Sequence, residues 1–413
     1  MKKILLPILF ISTVLLGGCG INKDTIKVLK VENITNDFIL GMDVSSLISL
    51  EESGIKYYDF DNKETDLLKI LKDNGINYIR TRIWNDPYDK DGNGYGGGNS
   101  DISKAIQIGK RATQYGLKLL VDFHYSDFWT DPGKYIAPKA WKNLSINEKE
   151  NALYEFSKDS LNKLKENNIN VGMVQVGNEI NSGLSDELYG SSNYYRLLKK
   201  GSQAVREIYP NALIAMHYAD PQKNYGKEIA KGLKDNNIDY DVFGYSYYPM
   251  YHGTLDNLGN ELESIASTYN KKVMVLETSY PYTDKDFDGK GNTYPSTNYP
   301  SPMYGYEFST QGQANLVRDV VDTVVNKVSN NKGIGVCYWE GAWLGVASSW
   351  EEAFPICQKY GSGWASHYAY EYQPNDIDKD YESGCVIENQ AFFDENGKAL
   401  DSLKVFKYLK SGN

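Results

Sequence analysis

The sequence is poor in the residues on which several common functions depend. It has only four histidines, and none stands in a zinc-ligand spacing, which argues against a catalytic zinc site. Acidic residues outnumber basic ones by 54 to 44, and the net charge of −10 argues against binding to nucleic acid or to anionic lipid. The 413 residues are 41% hydrophobic, which is ample for one large core.

The N-terminus carries an apolar run that is too short to form a stable membrane-spanning helix. Residues 4–16 follow Lys2 and Lys3 and end in a Leu-Gly-Gly-Cys sequence at 16–19. Small residues before a cysteine at this place resemble a bacterial lipobox. We therefore predict a lipoprotein signal peptide over 1–18, lipidated Cys19 at the head of a polar tether over 19–37, and a location at the bacterial cell surface. An ordinary secretory signal with an incidental cysteine is the alternative.

Three cysteines would remain in such a mature chain. An odd number outside the cytoplasm permits at most one internal disulfide. Cys337 lies inside an apolar run and is predicted to be a packed thiol. A bond between Cys357 and Cys385 stays open at this stage.

Short apolar runs, which are typical of buried strands, alternate with segments of helical periodicity along the rest of the chain. Eight strands are predicted, over 38–43, 78–84, 117–123, 171–176, 213–217, 242–248, 272–276 and 333–339. The helical segments lie at 65–74, 102–115, 146–167, 193–209, 225–236, 258–269, 311–328 and 403–409.

This alternation predicts a single α/β domain over 38–413, a (β/α)₈ TIM barrel. No Gly-x-Gly-x-x-Gly pattern follows the first strand, which disfavours an open dinucleotide-binding sheet. Long loops follow strand seven (280–302) and strand eight (341–390), and loops of this length are usually functional.

The predicted strands end in polar or aromatic residues, at the side of the barrel where such enzymes keep their active sites. The strand-end residues are Asp43, Arg80, His124, Glu179, His217, Tyr248, Glu277 and Trp339. Two of them are glutamates, and Asn178 precedes the first. A pair of carboxyls on matching strand ends indicates a paired-carboxylate site. The alternative is that each glutamate caps its strand or pairs with a surface lysine. The 34 tyrosines suit a surface that binds sugars.

The pattern resembles clan A of the glycoside hydrolases, and within it family 53, the arabinogalactan endo-β-1,4-galactanases. The resemblance runs from residue 38 to the C-terminus. It is carried by 41–45 (GMDVS), 80–87 (RTRIWNDP), 122–127 (DFHYSD), 129–132 (WTDP), 177–179 (GNE), 244–249 (GYSYYP), 276–278 (LET) and 338–340 (YWE). Gly341 departs from the family, which usually has proline after Trp-Glu.

The resemblance implies a retaining endo-hydrolase of β-1,4-galactosidic bonds in the (arabino)galactan side chains of pectin. Glu179 would be the acid/base and Glu277 the nucleophile, and Asn178 would donate to the sugar 2-hydroxyl. Arg80 and Tyr248 match positions that orient the nucleophile. The remaining expected substrate contacts are Asp43, His124, Trp84, Trp129, Trp339, Trp343 and Trp364.

The loop after strand seven contains oxygen-bearing residues that alternate with glycines, as in the first half of a calcium loop. Resemblance to bacterial members of the family implies a structural Ca²⁺ shared with the strand-eight loop. Its ligands would be Asp286, Asp288, Asn292, the carbonyl of Lys290, Glu388 and the carbonyl of Cys385. The family usually has Ser and Asp where this chain has Cys385 and Glu388. A similar Asp-x-Asp-Gly loop at 89–93 is interpreted as a plain turn.

Two other functions stay open on sequence alone. Another clan A endo-glycanase, acting on mannan, xylan or glucan, would share the fold and the carboxyl pair, because specificity lies in loop contacts. A lipid-anchored sugar-binding protein would need no carboxyl pair, although such proteins are usually two-lobed. We expect a monomer whose partner is a polysaccharide, with a membrane contact only through Cys19.

Overall fold

The structure, a computed structural model, describes residues 26–294, 304–382 and 384–413. Its centre is a closed barrel of eight parallel strands in chain order, in which the first strand also pairs with the last. The strands are β1 (Ile39–Asp43), β2 (Tyr78–Ile83), β3 (Lys118–Phe123), β4 (Val171–Val176), β5 (Leu213–Tyr218), β6 (Val242–Ser246), β7 (Lys272–Glu277) and β8 (Gly333–Tyr338). The predicted (β/α)₈ fold is confirmed.

Helices connect these strands. They are α1 (Leu47–Glu52), α2 (Leu67–Asp73), α3 (Ile102–Gln114), α4 (Ile146–Glu166), α5 (Ser192–Ile208), α6 (Gly226–Asp235), α7 (Pro249–His252), α8 (Leu255–Tyr269), α9 (Thr310–Asn326), α10 (Trp350–Tyr360) and α11 (Val405–Tyr408). Helices α1, α7 and α10 were not predicted. Strand β6 ends at Ser246, two residues before the predicted boundary at Tyr248, and α7 begins shortly afterwards at Pro249. A short hairpin, Gly183–Leu184 with Glu187–Leu188, also follows β4 unpredicted.

Side-chain caps explain where several helices begin. Ser145 and Glu148 form a complete capping box at the start of α4, and Asp101 accepts from the backbone N–H of Lys104 at the start of α3. Such caps satisfy backbone N–H groups that have no partner within the helix. They therefore fix the residue at which each of these two helices begins.

The barrel interior is arranged in layers, because side chains on a strand alternate between its two faces. An apolar layer contains Ile39, Tyr78, Leu120, Met173, Ala215, Val242, Met274, Leu276 and Cys337. Two residues further along four of these strands, the layer above it contains Arg80, Asp122, Gln175 and His217, all buried. The interior thus changes from apolar to polar toward the C-terminal ends of the strands.

Part of the segment predicted as a polar tether packs against the barrel. Ile26, Val28 and Val31 are buried, and the N–H of Val31 donates to the carbonyl of Leu409 over 2.8 Å. The side chain of Asn413 also bonds the backbone of Ile26 and Val28. The packed domain therefore includes residues ahead of the boundary predicted at 38, because apolar residues recur within this otherwise polar segment.

Cys337, Cys357 and Cys385 are all buried free thiols, so the disulfide left open by the sequence is not formed. Cys337 is packed in the barrel interior, as predicted. Among the described residues, none of the helices has the length and apolar character needed to cross a lipid bilayer.

Candidate active site

The C-terminal ends of the strands surround a cleft of about 270 Å³. Most residues predicted to bind or cleave substrate line it: Arg80, His124, Trp129, Asn178, Glu179, Tyr248, Glu277, Trp339 and Trp364. Asp43, Trp84 and Trp343 do not line it and have no exposed surface. The expectation that these three contact substrate directly is therefore wrong for this structure.

Glu277, at the end of β7, is held by two donors. Its Oε1 lies 2.8 Å from Nη2 of Arg80, and its Oε2 accepts from the Tyr248 hydroxyl over 3.0 Å. Asp43 and Asp122 each hold Arg80 at 2.8 Å, so the role of Asp43 is to anchor this arginine. Burial raises the pKa of Glu277 to about 7, and the positive charge of Arg80 opposes the rise.

Glu179 is held by a neutral hydroxyl. Ser246 donates to Oε1 of Glu179 over 2.5 Å. Burial, and then the negative charge of Glu277, raise the pKa of Glu179 well above its ordinary value. The backbone at Glu179 has a φ of 46°, a left-handed conformation that is uncommon outside glycine and is often found at functional sites.

The preceding glycine makes this sharp turn sterically feasible. Gly177 has a φ of 91°, and a Cβ there would lie 2.5 Å from Cγ2 of Ile180. The chain can therefore leave β4 abruptly and place Asn178 and Glu179 in the cleft.

The two carboxyls have unequal surroundings. Glu277 faces the guanidinium of Arg80, whereas Glu179 faces a serine hydroxyl. At neutral pH the proton is held more tightly by Glu179, and Glu277 is the more readily ionised of the two. Two carboxyls whose pKa values are separated in this way can serve as an acid and a nucleophile.

Asn178 and His124 are fixed by neighbouring polar groups. Oδ1 of Asn178 accepts from Arg80 and its Nδ2 donates to the carbonyl of Thr130, both over 3.0 Å. The second Nδ2 hydrogen of Asn178 stays available to a sugar hydroxyl. His124 bonds Asp122 at 3.1 Å and the Thr130 hydroxyl at 2.9 Å. Burial lowers the pKa of His124, so the ring is neutral at neutral pH.

Three tryptophans form an aromatic wall of the cleft. The rings of Trp129 and Trp364 stack with centroids 4.4 Å apart, and Trp339 meets both edge-on at 6.2 Å. Trp84 and Trp343 pack behind this wall, at 5.0 Å from Trp129 and 6.1 Å from Trp364 respectively. They support the residues that can stack on sugar.

A buried polar layer beneath the cleft was not identified as part of the site from the sequence. Gln175 accepts from Arg80 and donates to Asp122 over 2.6 Å. Arg82 pairs with Glu340 at 2.5 Å and lies 4.4 Å from the ring centroid of Trp129. The period of two along the strands was the available signal, because Gln175 and Asp122 share a face with the strand-end residues.

Three side chains of the predicted calcium loops converge. Carboxylate oxygens of Asp286, Asp288 and Glu388 lie within 4.8 Å of one another. Among the described residues, no hydrogen-bond partner reaches Oε2 of Glu388 or Oδ1 of Asn292, although both atoms are buried. Asp288 also accepts from the N–H of Cys385 over 2.8 Å, which joins the two loops. An all-oxygen set with orphaned buried acceptors fits a hard cation.

Known proteins share this architecture and sequence. The family model for Glycosyl hydrolase family 53 matches residues 39–406. The endo-beta-1,4-galactanase of Bacillus subtilis (strain 168) is 51% identical over 390 residues, covering 94% of this chain and 89% of the relative. An arabinogalactan endo-beta-1,4-galactanase of Humicola insolens is 33% identical, covering 74% of this chain and 89% of its own.

A solved structure gives the same result. The GH53 catalytic domain of Ignisphaera aggregans superposes with a TM-score of 0.83 at 37% identity, covering 93% of this chain and 99% of that one. Fold, carboxyl pair and sequence agree, and the chain belongs to glycosyl hydrolase family 53.

Proposed function

We propose that this protein is an endo-β-1,4-galactanase that hydrolyses galactan and arabinogalactan, the side chains of pectin, with retention of anomeric configuration. The observation that carries the proposal is the pair Glu179 and Glu277, two carboxyls with unequal surroundings that line the same aromatic-walled cleft. The substrate follows from relatives that are named endo-β-1,4-galactanases, one of them 51% identical.

In the first step Glu277 attacks the anomeric carbon. The bond from that carbon to the leaving oxygen breaks while a bond to Glu277 forms, and Glu179 gives its proton to the leaving oxygen. Arg80 and Tyr248 hold the two oxygens of Glu277 and so aim the nucleophile. Burial keeps Glu179 protonated and ready to act as the acid.

In the second step Glu179, now ionised, takes a proton from water as the water attacks the same carbon. The bond to Glu277 breaks and a sugar hemiacetal of the original configuration is released. The positive charge of Arg80 stabilises the carboxylate of Glu277 that returns.

The surrounding residues position the sugar. Asn178 lines the cleft, and the second hydrogen of its amide can donate to the 2-hydroxyl of the ring being cleaved. Trp129, Trp339 and Trp364 present aromatic surface on which the apolar faces of galactosyl rings can stack.

Digestion of a panel of pure β-1,4-glycans tests the proposal. Galactan should be cut to short oligosaccharides, and mannan, xylan and glucan should be cut slowly or not at all. Preferential cleavage of one of those three would assign another clan A specificity. Absence of new reducing ends with every glycan, together with binding, would favour a sugar-binding protein.

We propose further that a structural Ca²⁺ ties the loops after β7 and β8. The side-chain ligands would be Asp286, Asp288, Asn292 and Glu388, and the carbonyls of Lys290 and Cys385 would complete the set. The carboxylates within 4.8 Å of one another and the two orphaned buried oxygens support this proposal. The cation would neutralise the carboxylates and stiffen the loops that flank the cleft.

We propose that the enzyme acts outside the cytoplasm as a monomer, anchored through lipidated Cys19. The signal peptide and Cys19 lie outside the described residues, and the lipobox-like sequence supports the proposal. Stable anchoring needs two or more acyl chains, which lipoprotein processing supplies. Replacement Cys19→Ala should move activity from the cell surface into the medium; retention on the membrane would refute the anchor.

A further inference from the structure

The acid/base residue stands at the end of a buried chain of hydrogen bonds that crosses three strands. Ser246, at the end of β6, donates to Oε1 of Glu179 over 2.5 Å. Nε2 of His217, on β5, lies 2.9 Å from the same serine oxygen. Ser246 and His217 are both fully buried. The chain continues from Nδ1 of His217 to Gln175 and Asn178, each 3.0 Å away.

His217 is a neutral ring in this position. Burial, and then the charge of Arg80, lower its pKa well below the ordinary value. A neutral imidazole has one N–H, so one nitrogen donates and the other accepts. Nδ1 has both kinds of partner, because the amide nitrogen of Gln175 donates and Oδ1 of Asn178 accepts.

The amide orientations of these two partners are fixed by Arg80, which can only donate. It donates to Oε1 of Gln175 at 3.2 Å and to Oδ1 of Asn178 at 3.0 Å. The Gln175 amide therefore faces His217 with its nitrogen, and Asn178 faces it with its oxygen. Either tautomer of His217 is consequently satisfied.

Ionised Glu179 permits only one of the two arrangements, whereas protonated Glu179 permits both. When Glu179 is ionised, both of its oxygens can only accept, so Ser246 must donate to Oε1. Ser246 then accepts from Nε2–H of His217, and Nδ1 accepts from Gln175. When Glu179 is protonated, the reverse direction is also satisfied, with Glu179 donating to Ser246, Ser246 to Nε2, and Nδ1–H to Asn178.

We propose that Ser246 and His217 are positioning residues that orient the carboxyl of Glu179 and supply a hydrogen bond when it becomes ionised. With Oε1 bound to Ser246, the reactive proton is carried by Oε2 and directed to the leaving oxygen. Ser246 donates to Oε1 both before and after that proton is transferred, so the ionised carboxylate is stabilised without any charge entering the barrel. This inference rests on the proposed role of Glu179 as acid/base.

The prediction concerns the pH dependence of the reaction, so the ionisable surroundings matter. Around Glu179 they are Glu277 on β7, Arg80 on β2, Asp131 in the loop after β3, and Tyr248 after β6. Around His217 they are Arg80, Asp122, His124 and His252. A substitution at Ser246 leaves all of these charges in place.

The test is the pH profile of kcat/KM on galactan for Ser246→Ala. A donor to the carboxylate stabilises the ionised form, and its loss raises the pKa of Glu179. The alkaline limb reports loss of the acid proton, so it should move to higher pH, by about one unit for one hydrogen bond to a charged group. Ser246→Thr keeps the hydroxyl and should restore the wild-type limb.

A matched control is Ser126→Ala, because Ser126 is equally buried after β3 but bonds the Tyr372 hydroxyl. Its alkaline limb should not move. A folded Ser246→Ala variant with the wild-type limb overturns the inference. Should Ser246→Ala fail to fold, Ser246→Cys, a weaker donor of similar shape, should show a smaller shift in the same direction, and an unmoved limb again overturns it.

The variant Glu179→Gln distinguishes a failure of the proposed function from a failure of the proposed role of Ser246 and His217. Full activity of that variant on galactan would refute the catalytic role of Glu179 and with it the proposed function. Loss of activity there, combined with an unmoved alkaline limb in Ser246→Ala, would refute only the role of Ser246 and His217.

Discussion

The hydroxyl of Tyr248 donates to Oε2 of Glu277 over 3.0 Å, while Arg80 contacts the other oxygen of the same carboxylate at 2.8 Å. Two donors on two oxygens fix the rotation of the carboxylate as well as its charge. Tyr248 stands immediately before Pro249, which begins α7, so its backbone is held at the start of a helix. The attacking oxygen is thereby pre-oriented, which is a source of catalytic rate.

Replacement Tyr248→Phe removes one donor and keeps the ring. Because hydrogen bonds to charged groups contribute about 1.5–3 kcal/mol, kcat/KM on galactan should fall roughly ten- to a hundredfold. Steady-state kinetics measure this, and a thermal melt close to that of the wild type shows that the barrel is intact. A loss smaller than twofold would mean that Arg80 alone positions Glu277.

Replacements Glu277→Gln and Glu179→Gln should each abolish most galactan hydrolysis, but they should differ with an aryl galactoside that has a good leaving group. Such a substrate needs little acid assistance, so its first step should survive in Glu179→Gln and be lost in Glu277→Gln. Burst kinetics resolve that step. NMR of the first product checks the stereochemistry, and an inverted anomeric configuration would contradict the double-displacement mechanism.

The stability of Glu179→Gln provides a control for this experiment. The pKa of Glu179 is raised in the folded protein, so the folded state binds more protons than the unfolded state above the unfolded pKa of about 4.3. Between that value and the raised pKa of the folded state, Glu179 ionises in the unfolded chain but stays protonated in the folded protein. The free energy of unfolding therefore falls as pH rises through this range. The neutral glutamine avoids this loss, so the melting temperature of the variant relative to wild type should increase with pH.

The period-two and helical patterns of the sequence predicted the fold correctly. Each strand of the barrel ends within two residues of its predicted boundary. Val171–Val176 coincides with its prediction, since Gly177 breaks the strand through its positive φ. Helix α10 could not be predicted in the same way. Its sequence contains Pro355, and its buried residues, Ala353 and Cys357, form a narrow stripe that packs only in the context of the long loop.

At the site, the sequence identified residues at strand ends but not the depth at which they lie. Trp84 and Trp343 are of the residue type that stacks on sugar rings, yet both are buried behind Trp129 and Trp364. Burial depends on how the loops after β2 and β8 fold over each other, which no local pattern encodes. The role of Ser246 was invisible for a similar reason, since a serine acquires chemical meaning only from the carboxyl it faces.

Two tryptophans in the loop after β8 should respond differently to replacement, because Trp364 belongs to the aromatic wall of the cleft and Trp343 packs behind it. Trp364→Ala removes a partly exposed ring of the cleft, so KM for galactan should rise with little change in the melting temperature. Trp343→Ala removes a fully buried ring whose Nε1 donates to Ser362 over 2.8 Å, and should destabilise the fold by about 3–5 kcal/mol. Denaturant unfolding and steady-state kinetics of both variants separate the two effects. Equal loss of stability would place Trp364 in the core.

The last prediction concerns the carboxylate cluster that joins the loops after β7 and β8. A cation bound only by the folded state stabilises it by mass action, by about 2.7 kcal/mol at a free concentration one hundred times Kd. A calcium chelator should therefore lower the melting temperature, and excess calcium should restore it. Glu388→Gln removes one carboxylate from the cluster and should make the melting temperature much less sensitive to chelator. Asp89→Asn is the matched control: Asp89 lies in a similar loop, but its oxygens already accept from Asp91 and Asn93, so its sensitivity should equal that of the wild type. A wild-type melt that chelator leaves unchanged, with no metal found by elemental analysis, would refute the calcium site.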